Sequence, residues 1–212
     1  LDLVPVCAVR GTPGRSLLQV LMLRLLFLVL ALLLAGCDSP PQFGNSDISA
    51  AGYATDFALT DHNGKPRTMA DFRGKAVVIF FGYTQCPDVC PTTLTGMAEA
   101  VKLVGADAAK VQVLFVTVDP ERDTQELLAQ YVPVFNPGFL GLYADAQTIA
   151  RTAQDFRVFY KKQPGSTPTT YTVDHSAGSY VYDPQGRLRL YIKHGEKPEV
   201  IAKDLKLLIA GK

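Results

Sequence analysis

The chain has 212 residues, of which 48% are hydrophobic and 19% charged, enough for one packed domain plus a short segment and too apolar for wholesale disorder. Twenty-one Lys and Arg stand against twenty Asp and Glu, so the formal charge is +1 and no basic footprint for nucleic acid exists. Four Cys in this length are too few for a disulfide scaffold.

In chain order, the first feature is the apolar run Leu25–Leu34, LLFLVLALLL, preceded by Arg24 and followed by Ala35, Gly36 and Cys37. A basic start, a short apolar stretch and small residues at its exit describe an export signal. The ending Leu34-Ala35-Gly36-Cys37 resembles the bacterial lipoprotein box. That resemblance implies a signal peptide over 22–36, lipid on Cys37 and an extracytoplasmic domain tethered to a membrane. Asp38, next to Cys37, resembles an inner-membrane retention signal. An uncleaved anchor helix is the alternative, although Gln19 and Arg24 interrupt the run. Because a complete signal opens at Met22, residues 1–21, including Cys7, are expected to be over-called sequence. Residues 37–52 are rich in Pro, Ser, Asn and Gly and are expected to form a lipidated, flexible tether. Arg10, Arg15, Arg24 and Asp2 lie ahead of Cys37, so the remainder carries 18 basic and 19 acidic residues. The exported part is near neutral.

The domain is expected over 53–212. Phe57–Thr60 reads as a short strand before the turn residues Asp61-His62-Asn63-Gly64, which predict a hairpin. Met69–Phe72 predicts a helical turn. Ala76–Tyr83 is a continuous apolar run, as in a strand buried on both faces. Helical spacing follows over Thr92–Val104, then a second buried strand over Val111–Val118, together a βαβ unit. Asp123-Thr124-Gln125-Glu126 reads as a capping box with Asp123 as the cap, opening a helix that stops near Pro133. Asp145 is expected to cap a helix through Asp155. Lys161–Thr172 reads as a mobile loop of Lys, Pro, Gly, Ser and Thr. Ser179–Tyr182 and Leu188–Ile192 predict a hairpin, and Pro198 opens a terminal helix to Ile209. The pattern resembles the thioredoxin fold: an α/β domain with a central mixed sheet flanked by helices and an N-terminal hairpin.

The chemistry concentrates in Gly82-Tyr83-Thr84-Gln85-Cys86-Pro87-Asp88-Val89-Cys90-Pro91, which leaves the C-terminal end of a buried strand and enters a helix. Cys90 is expected near the N-cap, where free N–H groups and the helix dipole favour thiolate. Three residues between the cysteines let both sulfurs share one side, to hold a soft metal ion or to close a disulfide. A purely structural bridge this short removes little chain entropy. Two thiolates suffice for Cu(I), whereas Cu(II) wants imidazole and a fourth donor. Of the three histidines, His62 in a turn and His194 at a strand end read as surface residues. His175 lies in Thr172-Val173-Asp174-His175-Ser176.

Taken together, FGYTQCPDVCPTTL, VTVDPERDT (Val116–Thr124) and TVDHS (Thr172–Ser176) resemble the Sco/SenC family, in the same order over most of 57–209. The resemblance implies a membrane-tethered copper protein with a thioredoxin-like fold that helps assemble the binuclear copper site of cytochrome c oxidase. It places copper ligands on Cys86, Cys90 and His175. It also implies the oxidase copper-site subunit as partner, with a periplasmic copper donor or thiol reductase as further partners. Asp119 is either a metal-tuning neighbour or a turn former. Asp174 is a candidate to orient His175, and Asp88 lies between the thiols. The alternative function is a thiol-disulfide oxidoreductase that uses Cys86 and Cys90 to keep the cysteines of a copper acceptor reduced. A peroxidase of the peroxiredoxin type needs an Arg at its reactive Cys, and none lies near Cys86 in sequence.

Overall fold

A computed structural model describes residues 17–33, 42–166 and 170–212. Cys7, Cys37 and the exit of the expected signal peptide lie outside the described residues. The chain divides into two units, Leu1–Pro40 and Pro41–Lys212. In the first, α1 (Leu17–Leu33) continues the apolar run upstream of Met22. Among the described residues, no helix is long and apolar enough to cross a membrane.

The second unit is built on an eight-stranded mixed sheet. Its strands are β1 (Ser46–Asp47), β2 (Leu59–Asp61), β3 (Pro66–Arg67), β4 (Ala76–Gly82), β5 (Val111–Thr117), β6 (Leu140–Tyr143), β9 (Ser179–Tyr182) and β10 (Leu188–Ile192). The order across the sheet is β1-β10-β9-β4-β5-β6-β2-β3. A separate two-stranded sheet pairs β7 (Tyr160–Pro164) with β8 (Tyr171–His175). The helices are α2 (Val89–Val104), α3 (Gln125–Tyr131), α4 (Ala146–Asp155) and α5 (Pro198–Ile209).

β4 and β5 run parallel at the centre, Phe80 opposite Phe115, and every residue of both is buried. Branched and aromatic side chains suit a strand covered on both faces. Successive side chains of β4 alternate: Phe80 meets Phe115 and His175, whereas Phe81 meets Phe156 beyond α4. Each large side chain buried there contributes roughly 2 kcal/mol. α2 presents Cys90, Leu94, Met97, Val101 and Val104 as one buried stripe at helical spacing. The β9–β10 hairpin, the α4 cap at Asp145 and the start of α5 at Pro198 stand where the sequence predicts them.

Four expectations are corrected. The tether does not extend to Gly52. From Gly44 the chain is docked: the N–H groups of Gly44 and Asn45 and the Asn45 amide donate to the buried Asp204 carboxylate, and Ser46–Asp47 pairs with β10. Asp123 is not the cap of α3; Thr124 is, accepting from Leu127 N–H, which frees Asp123 for the interior. His62 is buried, not superficial, and its Nδ1 accepts the Gly141 N–H at 3.0 Å. Lys161–Thr172 is not a loop throughout but supplies most of β7 and the start of β8, with residues 167–169 outside the described set.

Candidate metal centre

α2 begins at Val89, so Cys90 is its second residue and Asp88 its N-cap. Pro91 is tolerated because the N–H it lacks is an orphan of the first turn. The exposed end of that turn meets Cys86: the Cys90 N–H donates to the Cys86 sulfur at 3.4 Å. Cys86 is half-buried and Cys90 fully buried, and both are free thiols. Cys90 can sit so close to the strand because residue 82 has no side chain. A Cβ there would stand 2.8 Å from the Cys90 sulfur.

His175 reaches the cysteines from the end of β8. Its Nε2 lies 3.4 Å from Cys90 Sγ, and the donor atoms of Cys86, Cys90 and His175 all lie within 4.8 Å of one another. His175 Nδ1 lies 3.0 Å from the Ser176 carbonyl. That contact assigns the ring proton to Nδ1 and leaves the Nε2 lone pair facing the sulfurs. Phe80 and Tyr83 each meet the ring in an edge arrangement, with centroids 5.9 Å away.

The electrostatics favour a site that waits for a cation. Burial pushes the Cys90 thiol far up, although the Tyr83 N–H pulls the other way. Burial thus opposes the thiolate expected at a helix N-terminus. Burial also pushes the His175 imidazole down, against the opposing effects of the Ser176 carbonyl and Asp174, so the ring is held neutral. Two soft sulfurs and a neutral imidazole form a donor set for a soft or borderline metal ion, which deprotonates thiols as it binds. Among the described residues the cluster offers three protein donors.

The other expected residues sit around this core. Asp119 touches none of the three donors. It is fully buried, binds the Arg122 guanidinium and accepts from Tyr171 Oη at 2.7 Å. Asp174 is exposed and accepts from Gln163 Nε2, so its side chain does not orient the His175 ring. Asp123 lies under the cysteine loop and accepts from Thr84 N–H, Thr84 Oγ1 and Thr117 Oγ1. Asp88 accepts from Thr92 at its own helix turn. His194 is exposed, 3.0 Å from Thr93 Oγ1.

Sequence reasoning missed Gly82, Ser176 and above all Arg122. That Arg donates to Gln85 Oε1, beside Cys86, at 3.0 Å. Distance along the chain was therefore no guide to whether an Arg approaches the cysteine loop. The only written sign was its place in the VTVDPERDT motif.

The mixed sheet, the flanking helices and the cysteine pair at the mouth of β4 define a thioredoxin-like domain carrying a three-donor cluster for a soft metal. The chain belongs to the SCO1/SenC family, whose model matches residues 45–210. It is 40% identical over 158 residues to the mouse (Mus musculus) mitochondrial protein SCO2 homolog, covering 74% of this chain and 62% of that protein. The chain thus spans about 60% of the length of the curated relatives it first matches. Among solved structures it resembles Bradyrhizobium japonicum ScoI with copper bound, at 43% identity and a TM-score of 0.67, covering 72% of this chain and 97% of that one. It also resembles a SCO1/SenC family lipoprotein from Bacillus anthracis, at 27% identity and a TM-score of 0.62, covering 72% and 92%.

Proposed function

We propose that this protein is a membrane-tethered, extracytoplasmic copper carrier that assists assembly of the binuclear copper site of cytochrome c oxidase. The observation that carries the reading is the convergence of the Cys86, Cys90 and His175 donor atoms within 4.8 Å, with the free face of the imidazole turned to the sulfurs. Copper is the cargo. Cys86 and Cys90 hold it as Cu(I) through two thiolates, and His175 adds the imidazole that Cu(II) requires, its fourth position falling to a donor from outside this cluster. Cys86 and His175 are both half-buried and Cys90 is fully buried, so an acceptor's ligand can enter on the Cys86 and His175 side. The copper-bound Bradyrhizobium japonicum relative supports the choice of metal. The partner is the copper-site subunit of the oxidase, with a periplasmic copper donor or thiol reductase upstream. The box ending at Cys37 and the lipoprotein relative from Bacillus anthracis support a lipid anchor, and the export signal with Asp38 beside Cys37 supports its position on the periplasmic side of the inner membrane.

A second reading, reduction of the acceptor's cysteines, rests on the two free thiols held on one side of the loop. It needs only the dithiol and its exchange chemistry. Copper titration separates the two. The reduced protein is expected to take one copper per chain, and its Cu(II) form to show a strong sulfur-to-copper charge-transfer band. Cys86→Ser and Cys90→Ser each lose tight binding. His175→Ala keeps the fold and part of the Cu(I) binding, loses the Cu(II) spectrum and impairs oxidase assembly. Assembly at the wild-type level in His175→Ala cells under low copper, together with failure in Cys86→Ser cells, would decide for the reductase.

A further inference from the structure

His175 is not carried by the sheet that carries the cysteines. β7 and β8 form their own two-stranded sheet, which shares no ladder with the eight-stranded one. Something else must hold the histidine hairpin against the cysteine loop. Val173 is buried beneath it, with its backbone bonded to Tyr83 of the cysteine loop, and the other polar ties converge on the loop Asp119–Arg122 that leaves β5. Arg122 Nε binds the fully buried Asp119 carboxylate. Arg122 Nη1 donates at once to Gln85 Oε1 at 3.0 Å and to the Tyr171 carbonyl at 2.9 Å. Its guanidinium stacks 3.6 Å over the Tyr171 ring and stands 5.6 Å from the Tyr83 ring. The Tyr171 hydroxyl returns to Asp119, and Lys162 of the facing strand pairs with Glu121.

We propose that Arg122, anchored by Asp119, is the positioning residue that ties the cysteine loop to the histidine hairpin and sets whether His175 stands at the cysteine pair. One planar group bonds the neighbour of Cys86 on one side and the first residue of β8 on the other. His175 lies four residues further along that strand, about 13 Å, and an extended strand transmits a shift at Tyr171 to its other end. The planar fork of Arg suits this task, because it divides its donors between Nε for Asp119 and Nη1 for Gln85 and the Tyr171 carbonyl, whereas an ammonium would have to reach all three acceptors from one atom. Opening the tie withdraws the imidazole and leaves two sulfurs, a set that keeps Cu(I) and gives up Cu(II). The tie therefore selects between the two copper states of the carrier, and in that respect it rests on the metal reading of the site.

The test uses the full chain as wild type and as Arg122→Lys, Tyr171→Phe and the charge-free pair Asp119→Asn/Arg122→Gln. The pair is included because Arg122→Lys alone strains a buried carboxylate. Three quantities are measured: Cu(I) and Cu(II) affinities by competition, nitrogen hyperfine coupling of the Cu(II) form, and metal-free amide exchange over Tyr171–His175. The variants are expected to lose about tenfold or more in Cu(II) affinity and to weaken the nitrogen coupling. Their Cu(I) affinity should stay within about threefold of wild type. Exchange in β8 should quicken by about tenfold while β4 keeps its protection, which a general loss of stability would not produce. Wild-type exchange in β8 together with wild-type nitrogen coupling would overturn the proposal. If the wild-type chain takes up no copper, the carrier reading fails on its own. The exchange data then decide the tie alone: unchanged protection refutes it and faster exchange confined to the hairpin upholds it.

Discussion

A methyl group added at residue 82 would stand 2.8 Å from the Cys90 sulfur, 2.8 Å from the Phe115 ring and 3.0 Å from the Phe80 ring. All three neighbours are fully buried, so none can swing aside into solvent. Gly82→Ala is expected to cost about 1–3 kcal/mol, as overpacking in a tight core does. It should also push the Cys90 sulfur off its seat, and so weaken metal binding more than an equally destabilising change elsewhere in β4. Urea unfolding and a copper competition titration on Gly82→Ala and Val78→Ala make the comparison. Equal affinities at equal stability loss would remove Gly82 from the site. At this scale the cysteines were legible, because a Cys pair at the mouth of an apolar run leads directly to strand-end chemistry. His175 was legible only through the family resemblance, since 85 residues separate it from Cys90 and spacing carries no information over that range. Arg122 and Tyr171 were opaque for the same reason: a guanidinium that bridges two loops leaves no local periodic trace.

Two of the hairpins close by the same device. Asp61 opens the β2–β3 turn and accepts from the N–H groups of Asn63 and Lys65 and from Arg67 Nε. Asp183 opens the β9–β10 turn and accepts from the N–H groups of Gln185 and Arg187 and from Arg187 Nε. Both carboxylates are buried. Burial pushes both upward in pKa. The turn N–H groups and the arginines pull harder, so both end below the ordinary carboxylate value. A carboxylate depressed in the folded state stabilises it above the unfolded pKa and loses that contribution as pH falls through the folded value. Stability is therefore expected to decline from about pH 4 downward. Asp61→Asn and Asp183→Asn should each lower stability at pH 7 and flatten the acid limb, read as the denaturant midpoint against pH. An unchanged acid limb in both variants would mean that other carboxylates control it. The elements with strong local signals were legible: β4 and β5 from their apolar runs, β9–β10 from their turn, α5 from Pro198. β6 has only four residues behind Asn136, Pro137 and Gly138, too short for a period to emerge. β7–β8 was hidden by its polar composition, because only Val173 among its residues is fully buried and the usual apolar alternation is missing.

At the scale of the whole chain, the donor cluster and every tie described around it lie within Pro41–Lys212, while the proposed anchor residue lies in the other unit. The docking of Gly44, Asn45 and β1 gives the second unit its own N-terminal border. Binding and location should therefore separate. A Cys37→Ala chain is expected to take up no labelled fatty acid and to remain unprocessed in cells. Its purified protein should bind copper with the wild-type stoichiometry and Cu(II) spectrum, because no donor has changed. In cells, oxidase assembly in this variant should depend on how firmly the unprocessed segment holds the protein at the membrane, since a carrier must meet its acceptor there. One acyl chain alone binds membranes weakly and reversibly, so firm anchoring requires more than one chain or a second attachment. Membrane fractionation beside the labelling experiment reads that directly. Normal fatty-acid incorporation into Cys37→Ala would refute the lipid assignment and return the anchor to an intact α1. Loss of copper binding in the purified variant would refute the confinement of the copper site to Pro41–Lys212.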